Sequence, residues 1–291
     1  MTVPTPILSL APVTLPAPDR GDDLQVRISA PATGDQLPII VFSHGFSQSM
    51  NSYAPMVDFW TASGFAVFQP THLDSRTLNV TPDDPRYPAI WRTRVEDLTR
   101  ILDNLDVLEA AVPGLAGRLD HTRIAVAGHS WGAQTASTLL GAGVVGEDDM
   151  TDPRIKAGVL FAIPGTGGAD LSPFAAEHFP FMSPTFDGLT APALIVAGDK
   201  DDSPLSVRGP EWFTDAYHLS PAPKTLLTLF GAEHSLGGLS GYLVTETTDE
   251  DPARVALVRE LSVNYLRSVL YPSDAPLAAE ASPLGTVESK S

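Results

Sequence analysis

The sequence predicts an α/β fold in which helices cover both faces of a mostly parallel central sheet. Two observations lead to this prediction: short apolar runs of strand length recur along the chain, and amphipathic stretches of helical period separate them. The apolar fraction of 43% and the charged fraction of 18% are those of an ordinary globular protein. A chain of 291 residues can form one large core. We therefore expect a single domain over residues 1–271.

Six short apolar runs are predicted to be buried strands of this sheet. Two earlier segments, Ile7–Thr14 and Leu24–Ser29, are predicted to add an antiparallel hairpin at the sheet edge. The six buried runs are Leu37–Phe42, Phe65–Phe68, Ile124–Ala127, Val159–Ile163, Ala193–Ala197 and Thr225–Phe230.

Two further stretches are predicted to be helices because their apolar residues recur at spacings of three and four. The first is expected to begin near Pro88 and to carry one apolar stripe from Trp91 to Leu108. The second lies near the C-terminus, where the stripe runs from Val255 to Leu266. Strands that alternate with such helices indicate a sheet covered on both faces.

The segment 164–192 interrupts this alternation. It holds several glycine and proline residues, and we expect it to form a short irregular lid after the sixth strand. Such a loop leaves the carboxyl edge of the sheet, where ligands bind in α/β folds. Its apolar side chains are predicted to line a substrate site, and burial of the loop against the core is the alternative. The four candidates are Phe174, Phe179, Phe181 and Met182.

The two ends of the chain are interpreted separately, the C-terminal end as a tail and the N-terminal end for a targeting signal. Residues 272–291 are rich in Ala, Pro, Ser and Gly, and they are expected to form a flexible tail. The N-terminal stretch Val3–Pro18 is apolar, but prolines interrupt it and no basic segment precedes it. It therefore does not have the pattern of a signal peptide, and we expect a cytoplasmic protein.

Charge and cysteine content exclude several classes of function. The formal net charge of −17 repels nucleic-acid phosphates and anionic membrane surfaces, so no nucleic-acid partner is expected. No apolar window approaches the ~18 residues needed to span a bilayer, so no integral membrane association is expected. The chain has no cysteine, which excludes disulfides, thiolate nucleophiles and cysteine-bound metals.

The most informative motif is the pentapeptide Gly128–Gly132, which holds Ser130 between two glycines. It follows an apolar run of strand character and precedes a stretch of helical character from Ala133 to Leu140. A serine on a sharp turn between a strand and a helix presents its hydroxyl clear of the backbone, and flanking glycines let the two elements approach. The motif predicts that Ser130 is a nucleophile, and a helix N-cap is the structural alternative.

A nucleophilic serine needs a base to accept its proton and a carboxylate to orient that base. In sheets of this kind the acid follows the serine along the chain and the histidine comes last. Of the seven histidines, His234 follows a late strand and is the predicted base. The loop after the strand Ala193–Ala197 holds three aspartates, and its spacing favours Asp201, with Asp202 next and Asp199 last.

The negative oxygen formed during acyl transfer needs preorganised amide donors. One is predicted to be the amide of Trp131, directly after the serine, and the other is the amide of Phe46, in the loop after an early strand. His44, in the same loop, is assigned a structural role. Without cysteine or a paired-histidine spacing no metal site is predicted, and without a Gly-rich phosphate loop no cofactor is predicted.

In combination these motifs resemble the α/β-hydrolase superfamily over roughly Leu37 to Tyr271. The resemblance implies an α/β-hydrolase fold with a Ser-His-Asp triad. Within the superfamily, the pair Arg94 and Asp97 ahead of the nucleophile strand is similar to a feature of predicted dienelactone hydrolases, chlorophyllases and platelet-activating-factor acetylhydrolases. The four ordered elements that carry the wider resemblance are Ser43–Phe46, Gly128–Gly132, Gly198–Asp201 and Glu233–His234.

The resulting hypothesis is a cofactor-independent serine hydrolase of carboxylic esters that acts on an apolar small-molecule substrate through an acyl-enzyme. Ser130 is expected to attack, His234 to move the proton and Asp201 to orient the histidine. Two alternatives stay open. The same triad can transfer the acyl group to an alcohol, an amine or peroxide, and a non-catalytic protein can bind an apolar ligand beneath the lid.

Overall fold

A mostly parallel sheet of nine strands forms the centre of the protein in a computed structural model, which describes residues 5–241, 243, 248–271, 273 and 282–291. The described residues form eleven strands, of which nine belong to this sheet: β1 (Ile7–Leu15), β2 (Leu24–Pro31), β3 (Leu37–Ser43), β4 (Ala66–Pro70), β5 (Leu119–His129), β6 (Gly143–Val144), β7 (Ile155–Phe161), β8 (Pro184–Thr185), β9 (Ala193–Gly198), β10 (Lys224–Leu229) and β11 (Gly285–Lys290). Their order across the sheet is β1-β2-β4-β3-β5-β7-β9-β10-β11, and β6 pairs separately with β8.

Seven α-helices flank the sheet in the described part of the chain. They are α1 (Ala54–Ala62), α2 (Ile90–Asp103), α3 (Leu105–Ala111), α4 (Trp131–Leu139), α5 (Pro173–His178), α6 (Asp215–His218) and α7 (Pro252–Leu270). Helix α4 packs on β5 and β7 and against α2, whereas α1 packs against α7. Every residue of β3 and β9 is buried, which requires a covering layer on each face of the sheet. The predicted α/β architecture is confirmed.

The sheet is parallel in its middle and antiparallel at its edges. The six strands in the middle pair in parallel with one another, in the order β4, β3, β5, β7, β9 and β10. At the edges, β2 runs antiparallel to both β1 and β4, and β11 runs antiparallel to β10. The hairpin predicted from the first two apolar segments is therefore confirmed at one edge. The register of β1 against β2 shifts between Leu10 and Val13.

The other edge corrects the prediction of a flexible tail over residues 272–291. Its last part, Gly285–Lys290, is strand β11, which pairs along its whole length with β10. An open edge at β10 would leave a row of backbone groups unpaired, and β11 satisfies them through its main chain. Composition did not indicate this strand because most of its side chains are polar. Residues 272 and 274–281 of the predicted tail lie outside the described residues.

The helix predicted to carry one stripe from Trp91 to Leu108 is two helices in the structure, α2 and α3. They meet at Asn104, whose φ of −121° lies outside the helical region. The Asn104 side-chain amide donates to the carbonyl oxygen of Arg100 at 2.8 Å, an acceptor that a continuing helix would use for its own backbone. The stripe is buried on both helices from Val95 onward, as the spacing predicted, and its first residue, Trp91, is half-buried.

The predicted lid, residues 164–192, contains more regular structure than an irregular loop. Ser172 caps α5 by accepting a hydrogen bond from the amide of Ala175, and Pro184–Thr185 pairs with Gly143–Val144. No helix among the described residues combines the length and the apolarity needed to cross a bilayer.

The parallel strands deliver the predicted site residues to one edge of the sheet. Ser43 ends β3, Ser130 directly follows β5, Asp201 follows β9 and His234 follows β10. Because these strands are parallel neighbours, or neighbours once removed, their carboxyl ends meet at this edge, where α/β sheets bind ligands.

Candidate active site

Ser130 occupies a strained turn between β5 and α4. Its φ of 56° and ψ of −124° are rare for a residue with a side chain. The turn is possible because its flanking residues have no Cβ: one added at Gly128 would lie 2.2 Å from the carbonyl oxygen of Gly132, and one added at Gly132 would lie 2.1 Å from that of Ser43. Two glycines thus let β5, α4 and the end of β3 touch through their backbones.

A continuous hydrogen-bond chain joins the three predicted catalytic residues. His234 Nε2 lies 2.8 Å from Ser130 Oγ, and His234 Nδ1 lies 2.9 Å from Asp201 Oδ2. The carboxylate is an acceptor, so Nδ1 carries the proton and Nε2 is free to accept the proton of the serine hydroxyl. Asp201 is buried at 1% exposure, whereas Asp202 is exposed and takes no part in these hydrogen bonds. The structure thus brings Asp201, and not Asp202, to the histidine.

The two predicted oxyanion donors lie in neighbouring segments, the start of α4 and the loop after β3. Trp131 is the first residue of α4, and Phe46 lies in the loop after β3. Among the described residues, neither amide donates to a backbone carbonyl. The two rings are 5.7 Å apart, so the segments that carry these amides are in contact. Amides of this kind can stabilise an oxygen on which negative charge develops, which is the role predicted for both residues.

Comparison with family models identifies the superfamily. The model described as the alpha/beta hydrolase family matches residues 40–282, which is most of the chain. The chain belongs to the alpha/beta hydrolase family. Comparison with curated proteins gives no significant match. The family match supports a hydrolase in general, and the finer resemblance to dienelactone hydrolases, chlorophyllases and acetylhydrolases stays a prediction.

A buried ion pair fastens the loop after β3, which we call the oxyanion loop because it holds the predicted donor Phe46. Arg94 on α2 donates to Asp74 Oδ1 at 2.5 Å and also to the carbonyl oxygen of His44. The other oxygen of Asp74 accepts the amide of Ser47 at 2.9 Å, so both sides of Phe46 are held. Arg94 has no solvent-exposed surface. Removing one partner of such a buried ion pair lowers the free energy of unfolding by several kcal/mol.

The same guanidinium supports the second oxyanion donor. The central carbon of the Arg94 guanidinium lies 4.7 Å from the centre of the Trp131 ring, and Arg94 Nε donates to Thr135 Oγ1 at 3.1 Å, one turn further along α4. The resemblance singled out Arg94 without giving it a function. Arg94 thus contacts Trp131 directly and holds the loop of Phe46 through Asp74 and the His44 carbonyl.

Beneath the loop lies a second arrangement of serine, histidine and aspartate. His72 Nε2 is 2.9 Å from Ser43 Oγ, and His72 Nδ1 is 2.8 Å from Asp97 Oδ2. All three residues are buried, and the backbone amide of His72 also donates to His44 Nε2 at 3.0 Å. Burial lowers the pKa of His72 well below its usual value and that of His44 to about 4. These neutral histidines brace the loop, in agreement with the structural role predicted for His44.

A separate chain of hydrogen bonds joins the oxyanion loop to the backbone of the predicted base. The Gly45 amide donates to the hydroxyl of Tyr53 at 3.1 Å, and this hydroxyl donates to His129 Nδ1 at 2.9 Å. His129 Nε2 in turn donates to the carbonyl oxygen of His234 at 2.8 Å. Burial lowers the pKa of His129 to about 3, which keeps its ring neutral and able to accept and donate at once.

Sequence reasoning missed Tyr53 altogether. It precedes α1 with a left-handed φ of 69°, and this backbone turn aims its ring toward His129. A tyrosine ahead of a helix carries no sequence signal for such a contact.

Replacing Tyr53 by phenylalanine is expected to lower the free energy of unfolding by about 1–3 kcal/mol, because the buried Gly45 amide and His129 Nδ1 would lose their shared partner. Urea unfolding followed by circular dichroism measures this change. The control is Tyr87→Phe, at a half-buried tyrosine outside this hydrogen-bond chain. Equal unfolding free energies for Tyr53→Phe and wild type would contradict the prediction.

A cavity of about 370 Å³ opens beside the serine. Ser130 and His234 line it, together with Phe46, Tyr53 and His129. Ser130 is half-buried and the His234 side chain is 45% exposed. The hydroxyl and the imidazole are thus accessible to a small molecule, while the acid behind them is not.

The four lid residues predicted to contact substrate do not line this cavity. Phe174 is 56% exposed, and Met182 is buried in the main hydrophobic core, so burial of the lid is the better description for Met182. Phe179 and Phe181 approach the site from outside: their rings lie 6.4 Å and 5.1 Å from those of Phe46 and Trp131. The lid therefore packs against the rings of the two predicted oxyanion donors.

The hydrolase also holds one group of potential metal ligands among its described residues. Asp106, Glu109 and His121 can bring three ligand atoms within 4.8 Å of one another. This group lies at the start of β5, at the opposite end of that strand from Ser130. Glu109 Oε1 already accepts the amides of Arg118 and Leu119, which gives its carboxylate a structural role.

Proposed function

We propose that this hydrolase cleaves carboxylic esters through a serine nucleophile. The observation that carries the proposal is the unbroken hydrogen-bond chain from Ser130 through His234 to the buried Asp201. Such a chain raises the nucleophilicity of a hydroxyl that is otherwise protonated and weak at neutral pH. Burial of the acid keeps the imidazole in one tautomer and one orientation.

In the proposed reaction Ser130 Oγ attacks the ester carbonyl while His234 Nε2 accepts the hydroxyl proton. The resulting oxyanion is held by the amides of Phe46 and Trp131, and each such donor contributes roughly 3 kcal/mol to lowering the barrier. His234 returns the proton to the leaving alkoxide, which leaves an acyl-enzyme on Ser130. Water, activated by the same histidine, then releases the acid, and no cofactor takes part.

Esters are the acyl compounds that this site suits best. An alkoxide is a better leaving group than an amide nitrogen, so its departure depends less on proton donation by His234. The ordered motifs around Ser43–Phe46 and Gly128–Gly132 resemble those of esterases. Transfer of the acyl group to an alcohol or peroxide would use the same acyl-enzyme, and product analysis with added acceptors would reveal it.

Covalent labelling tests the proposal together with turnover. The wild-type protein is incubated with diethyl p-nitrophenyl phosphate, and the labelled peptide is located by mass spectrometry. We expect the diethylphosphoryl group on Ser130, loss of p-nitrophenyl acetate hydrolysis in step with labelling, and no label on Ser235, which lines the same cavity. Folded protein that neither takes the label nor hydrolyses any p-nitrophenyl ester would refute the proposed function.

A further inference from the structure

A second cavity adjoins the active-site cavity at Phe46. It measures about 580 Å³, and its walls include Phe46, the segment Asn79–Pro82 and Tyr87. We call it the outer cavity. The two cavities share Phe46, Ser47 and Arg76, and the outer cavity has no contribution from Ser130 or His234. A molecule held at Ser130 can therefore extend past Phe46 into a second space.

The direction of proton transfer fixes which part of an ester lies on which side. The leaving oxygen must come within hydrogen-bond reach of His234 Nε2 to receive its proton. The alcohol part of the ester therefore lies on the histidine side, in the cavity that His234, His129 and Ser235 line. The acyl part must leave the carbonyl carbon in another direction, away from His234.

The outer cavity lies on the side of the oxyanion donors. Val80 and Tyr87, which form two of its walls, pack on the small apolar cluster of Leu73, Ile90 and Trp131. Phe46 carries the other predicted donor and is 48% exposed between the two cavities. An acyl chain whose carbonyl oxygen sits between the two amides thus meets the Phe46 ring first and the outer cavity next.

The walls of the outer cavity match a chain that is mostly apolar. Val80, Pro82 and Tyr87 present apolar surface, and Asn79 and Thr81 add polar groups at exposed positions. Its volume lies in the range of roughly 300–1,000 Å³ found for small-molecule sites. The acidic residue on its wall, Asp74, is already bound to Arg94 and to the amide of Ser47, so it does not present a free charge to the chain.

We propose that the outer cavity binds the acyl chain of the substrate, and that the preferred substrates are esters of medium-chain or bulkier carboxylic acids. This inference rests on the proposed ester hydrolysis and adds the acyl specificity of that site. Acetate esters would place nothing beyond Phe46. Longer acyl groups would gain contact with the wall that Val80 and Tyr87 form.

Filling the outer cavity tests this inference. The measured quantity is the ratio of kcat/KM for p-nitrophenyl octanoate to that for p-nitrophenyl acetate. Val80→Trp is expected to lower this ratio about tenfold or more, since the octanoyl chain loses several methylene contacts. Thr81→Trp, at an exposed position of the same wall, tests the cavity where Val80→Trp fails to fold. The matched control is Val107→Trp, at a valine that is 58% exposed on α3.

The outcomes separate the two proposals. A ratio that stays at the wild-type value in folded Val80→Trp and Thr81→Trp proteins would overturn the acyl assignment while ester hydrolysis stands. A selective loss with octyl acetate, measured against methyl acetate, would place the alcohol in the outer cavity and would also overturn it. Absence of turnover in the wild-type protein with every ester would refute the proposed function itself.

Discussion

Replacing Ser130 by alanine is expected to lower kcat for p-nitrophenyl acetate by roughly 10⁴- to 10⁶-fold, the range seen when the nucleophile of a triad is removed. The substitution deletes the oxygen that lies 2.8 Å from His234 Nε2 and leaves the imidazole, the acid and both amides in place. Binding and oxyanion stabilisation without a nucleophile account for only a small residual rate. Steady-state kinetics at matched enzyme concentrations measure the effect.

The control for this variant is Ser235→Ala, because Ser235 lines the same cavity. It is expected to retain kcat within a few-fold of the wild-type value. Thermal unfolding of both variants should stay close to wild type, since an alanine at position 130 keeps the same strained backbone and removes one part-buried hydrogen bond. If folded Ser130→Ala protein hydrolysed p-nitrophenyl acetate at the wild-type rate, Ser130 would not be the nucleophile.

Replacing Asp201 by asparagine is expected to lower kcat by roughly 10⁴-fold, the cost of presenting the histidine with the wrong tautomer. Asparagine has nearly the same shape, but its NH₂ group can donate to His234 Nδ1, which would move the imidazole proton to Nε2. A protonated Nε2 cannot accept the proton of Ser130. The fold should persist because the substitution changes one buried atom and almost no volume.

Asp202→Asn is the matched control, since it makes the same chemical change at the next residue. Asp202 is exposed and takes no part in the hydrogen bond to His234. We expect it to keep kcat near the wild-type value and to leave the pH profile of kcat/KM unchanged. The reverse pattern, with the loss at Asp202 and not at Asp201, would show that the acid of the triad is misassigned.

The order of the predicted site residues along the chain could be read from the sequence because parallel strands impose it. Each of Ser130, Asp201 and His234 follows a short apolar run, and parallel pairing brings the carboxyl ends of such runs to one edge. The choice between Asp201 and Asp202 could not be made in this way. Adjacent residues share the same strand and loop. The spacing from Gly198 favoured Asp201, and in the structure Asp201 is the one that is buried and hydrogen-bonded to His234.

Other features could not be predicted from the sequence, each for its own physical reason. Strand β11 forms through backbone pairing with β10, and backbone groups are the same in every residue. Tyr53 acts through a left-handed turn that no residue pattern around it indicates. Met182 and Phe174 belong to the same short segment, yet one is buried and the other exposed, because the fold of the lid and not its apolar content decides which side faces inward.

The buried group of Ser43, His72 and Asp97 has a consequence for recognising enzymes from coordinates. Its distances of 2.9 Å and 2.8 Å match those at Ser130, so a search template built on interatomic spacing alone would return two hits in this one protein. What separates them is access for a substrate, because Ser130 lines a cavity whereas Ser43 is buried. An annotation method that scored this access would keep the hit at Ser130 and discard the one at Ser43.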